Sequence, residues 1–287
     1  VRPAPRRRES HSQPPRARAP LRRPAPPAHA PLPSHRARAG NWKCNGTVES
    51  VAALVAELNA GAVPAEVDVV VAPPSVFVDR VAGALRAPFQ VAAQNCHSGA
   101  GGAFTGEVSA DMLVSMAVPW VVLGHSERRS LFGETNETVG QKVAYALSKG
   151  LKVIACIGET LAQRESGEMF AVLDAQLEAI AAAVGPEAAW ANVVVAYEPV
   201  WAIGTGVVAS PEQAQEVHAY VRKWLAEHPG VKVAGRTRVL YGGSVSDKNC
   251  GTLAALEDVD GFLVGGASLQ APAFLTICNS LSARVAA

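Results

Sequence analysis

Eight short apolar runs, each followed by a segment of helical periodicity, set the strongest limit on what this chain can fold into. Seven of the runs span residues 67–72, 90–93, 120–123, 153–157, 193–197, 238–241 and 261–264, and an eighth, 38–42, opens the series. Helical patterns fill the intervals at 48–60, 76–85, 109–117, 134–149, 168–184, 211–227, 247–256 and 271–281. Short apolar runs bounded by turns read as buried parallel strands, and strands alternating with helices read as βαβ units. Eight units in 248 residues, at about 31 residues each, match a closed (β/α)8 barrel, whose usual length is ~250 residues. A doubly wound open sheet is the alternative. It normally carries a Gly-rich dinucleotide loop after its first strand, and Asn41-Trp42-Lys43-Cys44-Asn45-Gly46 is not one. The first run is the least typical, since His35-Arg36-Ala37-Arg38-Ala39 alternates basic residues with alanine where larger apolar side chains are expected.

Charge is spread unevenly. The formal net charge is +1, yet residues 1–39 hold ten Arg, ten Pro and one Glu, a net of +9 that leaves the remainder at −8. Residues 1–39 show no periodicity and cannot bury a core, which predicts a disordered leader ahead of one barrel domain over residues 40–287. Arg-rich, Ser-containing and acid-poor, the leader has the composition of an organelle transit peptide, although its prolines are dense for one. A misassembled end and a basic interaction arm stay open as alternatives. The acidic body argues against nucleic-acid binding by the folded part. No uninterrupted apolar run approaches the roughly 18 residues of a membrane span. Five cysteines, widely spaced and without a CxxC pair, read as free thiols rather than as a disulfide framework or a zinc site.

The residues that carry chemistry follow the strand runs, where a βα barrel places its active groups. Run 193–197 ends in Glu198, and Pro199 biases that glutamate towards extended backbone. An apolar tip, Trp201-Ala202-Ile203, then leads to Gly204-Thr205-Gly206. An acid at a strand end before such a loop has the pattern of a base under a closing lid; an exposed carboxylate in an ordinary loop is the plainer alternative. Asn41 and Lys43 lie two residues apart, on one face of an extended segment. His125 stands just before Ser126-Glu127, a helix-start pattern whose positive end disfavours a second proton on the ring. Two glycine pairs, in Tyr241-Gly242-Gly243-Ser244 and Val264-Gly265-Gly266-Ala267-Ser268, follow the seventh and eighth runs. Barrels build phosphate sites there from backbone N–H groups.

Together, the Gly-Asn-Trp-Lys segment at 40–43, the segments 124–129 and 156–159, the eleven residues 196–206 and the two glycine pairs resemble the signatures of the triosephosphate isomerase family. That family is a standard worked case of pKa tuning and lid gating. The resemblance implies a TIM barrel that interconverts dihydroxyacetone phosphate and D-glyceraldehyde 3-phosphate through an enediolate, without metal or organic cofactor. It makes Glu198 the base, His125 a neutral electrophile and Lys43 an electrostatic stabiliser, with Asn41 as a neighbouring polar contact. Asn41, Lys43, Gly204, Ser244, Gly265 and Gly266 then bind the substrate, with Ile203 and Leu263 as apolar walls. Glu127 accepts from Lys43 or orients that region, Cys156 packs beside the base, Glu159 pairs at the foot of the lid, and Arg128 and Arg129 make structural ion pairs.

Loop 94–107 by itself reads as a long surface loop; the family resemblance implies a homodimer, with Thr105 reaching towards Asn41 and Lys43 of the partner subunit. His97 and residues 98–101 depart from the commoner versions of that loop, and Val207-Val208 stand where polar lid-hinge residues are common. Cys44 and Cys250 are candidates for redox modification. An organelle-targeted form would reside in the plastid stroma; a cytoplasmic protein with an artefactual leader is the alternative. Two rival functions exist: another phosphosugar enzyme on the same barrel, needing a Schiff-base lysine or metal ligands, and a non-catalytic phosphate-binding protein, which would dispense with Glu198 and His125.

Overall fold

The computed structural model describes residues 36–280 apart from Gly206; residues 1–35 of the leader expected over 1–39 lie outside them. Eight strands, β1 (Arg36–Asn41), β2 (Val67–Ala72), β3 (Phe89–Ala93), β4 (Trp120–Leu123), β5 (Lys152–Ile157), β6 (Val193–Tyr197), β7 (Arg238–Tyr241) and β8 (Gly261–Val264), pair in parallel in chain order. β1 pairs with β8 and closes the barrel. Around it lie α1 (Val48–Ala60), α2 (Val78–Ala84), α3 (Ala110–Ser115), α4 (Ser126–Phe132), α5 (Asn136–Ser148), α6 (Leu161–Glu165), α7 (Met169–Val184), α8 (Pro211–Leu225), α9 (Val231–Arg236), α10 (Cys250–Ala254) and α11 (Ala271–Cys278). No helix among the described residues is long and apolar enough to cross a membrane.

Strand periodicity builds two cores. Successive side chains leave a strand on opposite faces. Val70, Trp120, Val122, Ile154, Val194, Ala196 and Leu240 therefore fill the barrel interior, while Val69, Val121, Val153, Val195 and Val239 pack outward against the helices. Both faces of each strand are buried, which explains the near-continuous apolar runs. The same parity puts Asn41, at the end of β1, and Glu198, just past β6, in the inward series.

The first strand runs from Arg36 to Asn41 rather than over 38–42, so residues 36–39 belong to the barrel and not to the leader. Small Ala37 and Ala39 enter the interior, and the two arginines of β1 are buried. Arg38 donates to the carbonyls of Ile277 at 3.1 Å and Ser280 at 2.7 Å and lies 4.6 Å from the centre of the Phe262 ring. Its cation thus meets carbonyls at the carboxyl end of α11, where positive charge is favoured. Burial still pulls its pKa down to about 10.

Several helices start where the sequence signals a cap. Thr47, Ser109, Thr135, Thr160 and Ser210 each accept an N–H from the first turn. Others differ from expectation. Segment 76–85 opens with a 3-10 turn at Ser75–Phe77, and only Cys250–Ala254 of 247–256 is α-helical. α8 gives way after Leu225 to a π turn, Ala226–Gly230, that contains Pro229. α11 ends at Cys278, short of the expected 281, a residue outside those described. α4 follows the helix start read at Ser126-Glu127, whereas α6 and α9 are short helices within stretches that read as loops.

Candidate active site

At the carboxyl end of β1 the chain turns sharply. Lys43 has φ +51°, a conformation that costs a non-glycine residue energy and is held only by its surroundings. Two side chains hold it. Asn41 Oδ1 accepts the Lys43 N–H at 3.0 Å, and Gln94, at the end of β3, donates through Nε2 to the carbonyls of Lys43 and Ala72, each at 2.8 Å. The Lys43 ammonium then meets Glu127 Oε1 at 2.7 Å. Glu127 belongs to the first turn of α4, so this pair ties the end of β1 to the end of β4.

His125 is the N-cap of α4, and its Nδ1 accepts the Glu127 N–H at 3.2 Å. That bond leaves the ring proton on Nε2, which lies 2.9 Å from Glu198 Oε1. The other oxygen of Glu198 accepts the N–H of Ser126 at 3.0 Å. Both side chains are almost fully buried. Burial alone would raise the Glu198 pKa, but the His125 ring and the Ser126 N–H outweigh it and hold the carboxyl below its ordinary value. Burial likewise pulls His125 down, yet the adjacent carboxylate outweighs burial and lifts the imidazole above its ordinary value. The helix end acts on Nδ1 as the sequence suggested; the carboxylate at Nε2 works in the opposite direction.

A cavity of about 280 Å³ opens beside this pair. Asn41, Lys43, His125, Glu198, Ile203, Gly204, Ser244, Leu263, Gly265 and Gly266 all line it. The structure thus brings together the catalytic and substrate-binding residues named from the sequence. Gly242 makes room for the acid, since a Cβ there would lie 2.9 Å from Glu198 Cγ. Gly266–Leu269 form a 3-10 turn just after Gly265, which puts the amino end of that turn in the cavity lining. Ser244 Oγ donates to the Ala202 carbonyl of the lid at 2.8 Å.

The supporting residues fall around this centre. Glu159 Oε1 accepts from Trp201 Nε1 at 2.9 Å, Tyr197 Oη at 3.0 Å and Arg164 Nη1 at 3.2 Å, anchoring the lid's first residues. Buried Cys156 lies beside Glu198, and burial pushes its thiol pKa well up. Arg128 pairs with Glu134, whereas Arg129 spends its guanidinium on Asn136 and on the carbonyls of Gly124 and Cys156. Cys44 is the exposed thiol; Cys250 is buried, which removes it from the pair of redox candidates. Thr105 is exposed on loop 94–107, away from the cavity lining. Neighbouring Phe104 is half-exposed, its ring 4.1 Å from that of His97. Among the described residues no group of three or more His, Cys, Asp or Glu could hold a metal ion. Sequence reading missed Gln94 and Ser126, since an amide or a backbone N–H gives no signal until the fold shows what it faces.

Comparison with known proteins agrees with this geometry. The family model for triosephosphate isomerase matches residues 37–281. The cytosolic triosephosphate isomerase of Oryza sativa subsp. japonica is 61% identical over 249 residues, covering 86% of this chain and 97% of that protein. The chloroplastic enzymes of Secale cereale and Arabidopsis thaliana are 57% and 56% identical over 245 residues, covering 85% of this chain and 81% and 77% of their own lengths. By fold, cavity and sequence alike, this chain belongs to the triosephosphate isomerase family.

Proposed function

We propose that Glu198 is the base in the triose-phosphate interconversion that this chain catalyses, with His125 and Lys43 stabilising the charge that develops on substrate oxygen. The observation that carries the reading is the buried Glu198–His125 contact of 2.9 Å in the wall of a cavity that also holds the Lys43 ammonium. Glu198 leaves His125 Nε2 and the Ser126 N–H to reach a carbon-bound proton beside the carbonyl. The freed Nε2–H then polarises that carbonyl, and Lys43 adds its positive charge. The proton returns to the adjacent carbon, and the hydroxyl proton passes by way of His125 Nε2 from the oxygen that becomes the carbonyl to the oxygen that becomes the hydroxyl, which completes the exchange of aldehyde and ketone. Loss of the two hydrogen bonds, with Ile203 and Leu263 excluding water, leaves burial to dominate and makes the carboxylate more basic.

The phosphate dianion is assigned to Ser244, Gly265, Gly266 and, on lid closure, Gly204. Backbone N–H groups freed of Cβ atoms approach its oxygens closely. Glu198→Gln keeps the shape and the phosphate loops while removing the base. Its turnover is expected to fall by roughly 10³-fold or more, with inhibition by inorganic phosphate unchanged. Wild-type turnover in that variant would remove Glu198 from the role.

A homodimer fits the surface next to this site. Loop 94–107 projects Phe104 and Thr105, and a second cavity of about 480 Å³, reaching from Lys43 and Cys44 to Met112 and Phe132, is of a size to receive such a loop. Sedimentation equilibrium should give twice the chain mass, and a monomer at micromolar concentration would contradict this. Plastid residence rests on the basic, acid-poor composition of the leader. Because Arg36 and Arg38 are buried in β1, maturation must cut upstream of Arg36, a point that mass spectrometry of the mature amino terminus checks.

A further inference from the structure

The base is laid on a backbone template. Glu198 N–H donates to the Ile157 carbonyl at 2.7 Å, and Val200 N–H donates to the Glu159 carbonyl at 3.1 Å. Between these two bonds sits Gly158, so close that an added Cβ would lie 1.8 Å from the carbonyl oxygen of Glu198. The peptides 157–159 therefore set the height and direction at which Glu198 leaves β6. On its other side this template faces a cavity of about 730 Å³, lined by Gly158, Thr160, Gln163, Gln176 and Val200 as well as Glu198. Open space there gives the segment room to relax away from β6.

One side chain spans the gap. Gln176, buried on α7, accepts the Gly158 N–H through Oε1 at 2.7 Å and donates through Nε2 to the Gly158 carbonyl at 3.0 Å. A carboxamide pairs both backbone groups of one residue, since it offers a donor and an acceptor side by side. Being uncharged, it acts on geometry. We propose that Gln176 is a positioning residue: by clamping the Gly158 peptide it fixes the carboxylate of Glu198 against the substrate. The inference rests on the reading of Glu198 as the base.

Two variants test it. Gln176→Leu keeps the bulk and loses both bonds; Gln176→Glu keeps the acceptor when ionised and regains a donor when protonated. For Gln176→Leu, kcat is expected to fall by about 10-fold to 100-fold, the scale of a displaced catalytic group. KM and inhibition by inorganic phosphate should stay within about twofold, because the phosphate loops do not touch the clamp. At this buried position a carboxyl is raised by desolvation, so for Gln176→Glu kcat relative to wild type should be low at pH 8 and recover as pH falls towards 5.5, while the leucine ratio stays flat. Unchanged kcat in folded Gln176→Leu, or kcat and KM worsening together, would overturn the proposal. If the leucine variant does not fold, a flat Gln176→Glu ratio across pH overturns it alone. Glu198→Gln measured in parallel separates the two readings. Activity there defeats the base assignment itself, whereas loss there beside normal Gln176 variants defeats only the positioning role.

Discussion

The two mouths of the barrel are built from the same eight strands and treat polar side chains in opposite ways. At the amino ends, the inward residues satisfy one another. Arg238 pairs with Asp68, Gln90 Nε2 reaches Asp68 at 3.4 Å, and Gln90 Oε1 accepts from Trp120 Nε1 at 2.9 Å. Lys152 and Arg238 both lie over the Trp120 ring, 5.0 and 5.6 Å from its centre. At the carboxyl ends, Lys43 pairs with Glu127 and His125 with Glu198, yet a cavity lies beside them and glycines replace side chains around it. The first arrangement closes the barrel. The second stores these polar groups in pairings that a ligand can exchange for its own. A catalytic mouth is thus recognised by space next to its ion pairs more than by the pairs themselves.

Substitutions at both mouths can sharpen or break that contrast. The largest effect is expected for Glu198→Gln, whose kcat should drop by roughly 10³-fold with thermal stability retained. Next comes Lys43→Met, which removes the cation and leaves Glu127 unpaired. Its kcat/KM should fall about 100-fold or more, measured by steady-state assay in both directions. At the opposite mouth, Arg238→Met breaks a partly buried pair. It should lower unfolding free energy by about 1–3 kcal/mol in denaturant titration while kcat stays within about twofold. A large loss of kcat there at full stability would erase the distinction between the mouths.

The smallest expected effect concerns pH. His218, buried on α8 with Nδ1 3.2 Å from the Asp258 carbonyl, is held by burial down to about 4. Its unfolded value is higher, so the unfolded chain binds the extra proton first. The stability it contributes is complete above pH 6.5 and is lost as pH falls towards 4. The loss amounts to at most about 3 kcal/mol. Melting curves across that range should flatten in His218→Gln; an unchanged slope would assign the acid sensitivity elsewhere.

How much of this was legible beforehand depends on what kind of signal each residue leaves. The repeat of strand and helix is written in apolar periodicity, and all eight strands follow from it. Glu198 and His125 were readable because each stands beyond a strand run with a proline or a helix start behind it. β1 was legible only in part. Arg36 and Arg38 read as leader because a buried cation is justified only by partners far off in sequence, such as the Ile277 and Ser280 carbonyls. Gln94 and Gln176 left no trace for the same reason, since an amide's role is set by the backbone it meets after folding. The short helices α6 and α9 lack the length over which a helical period can be counted.

Isotope transfer at the substrate carbon tests the central claim most directly. With enzyme in heavy water, proton transfer through a carboxylate that exchanges with solvent places deuterium on the carbon next to the product's carbonyl, and NMR at low conversion detects it. Labelled product is expected with the wild-type chain, and labelling slowed by roughly 10³-fold with Glu198→Gln. Product formed by the wild-type chain entirely without deuterium, or labelling by Glu198→Gln at the wild-type rate, would contradict it.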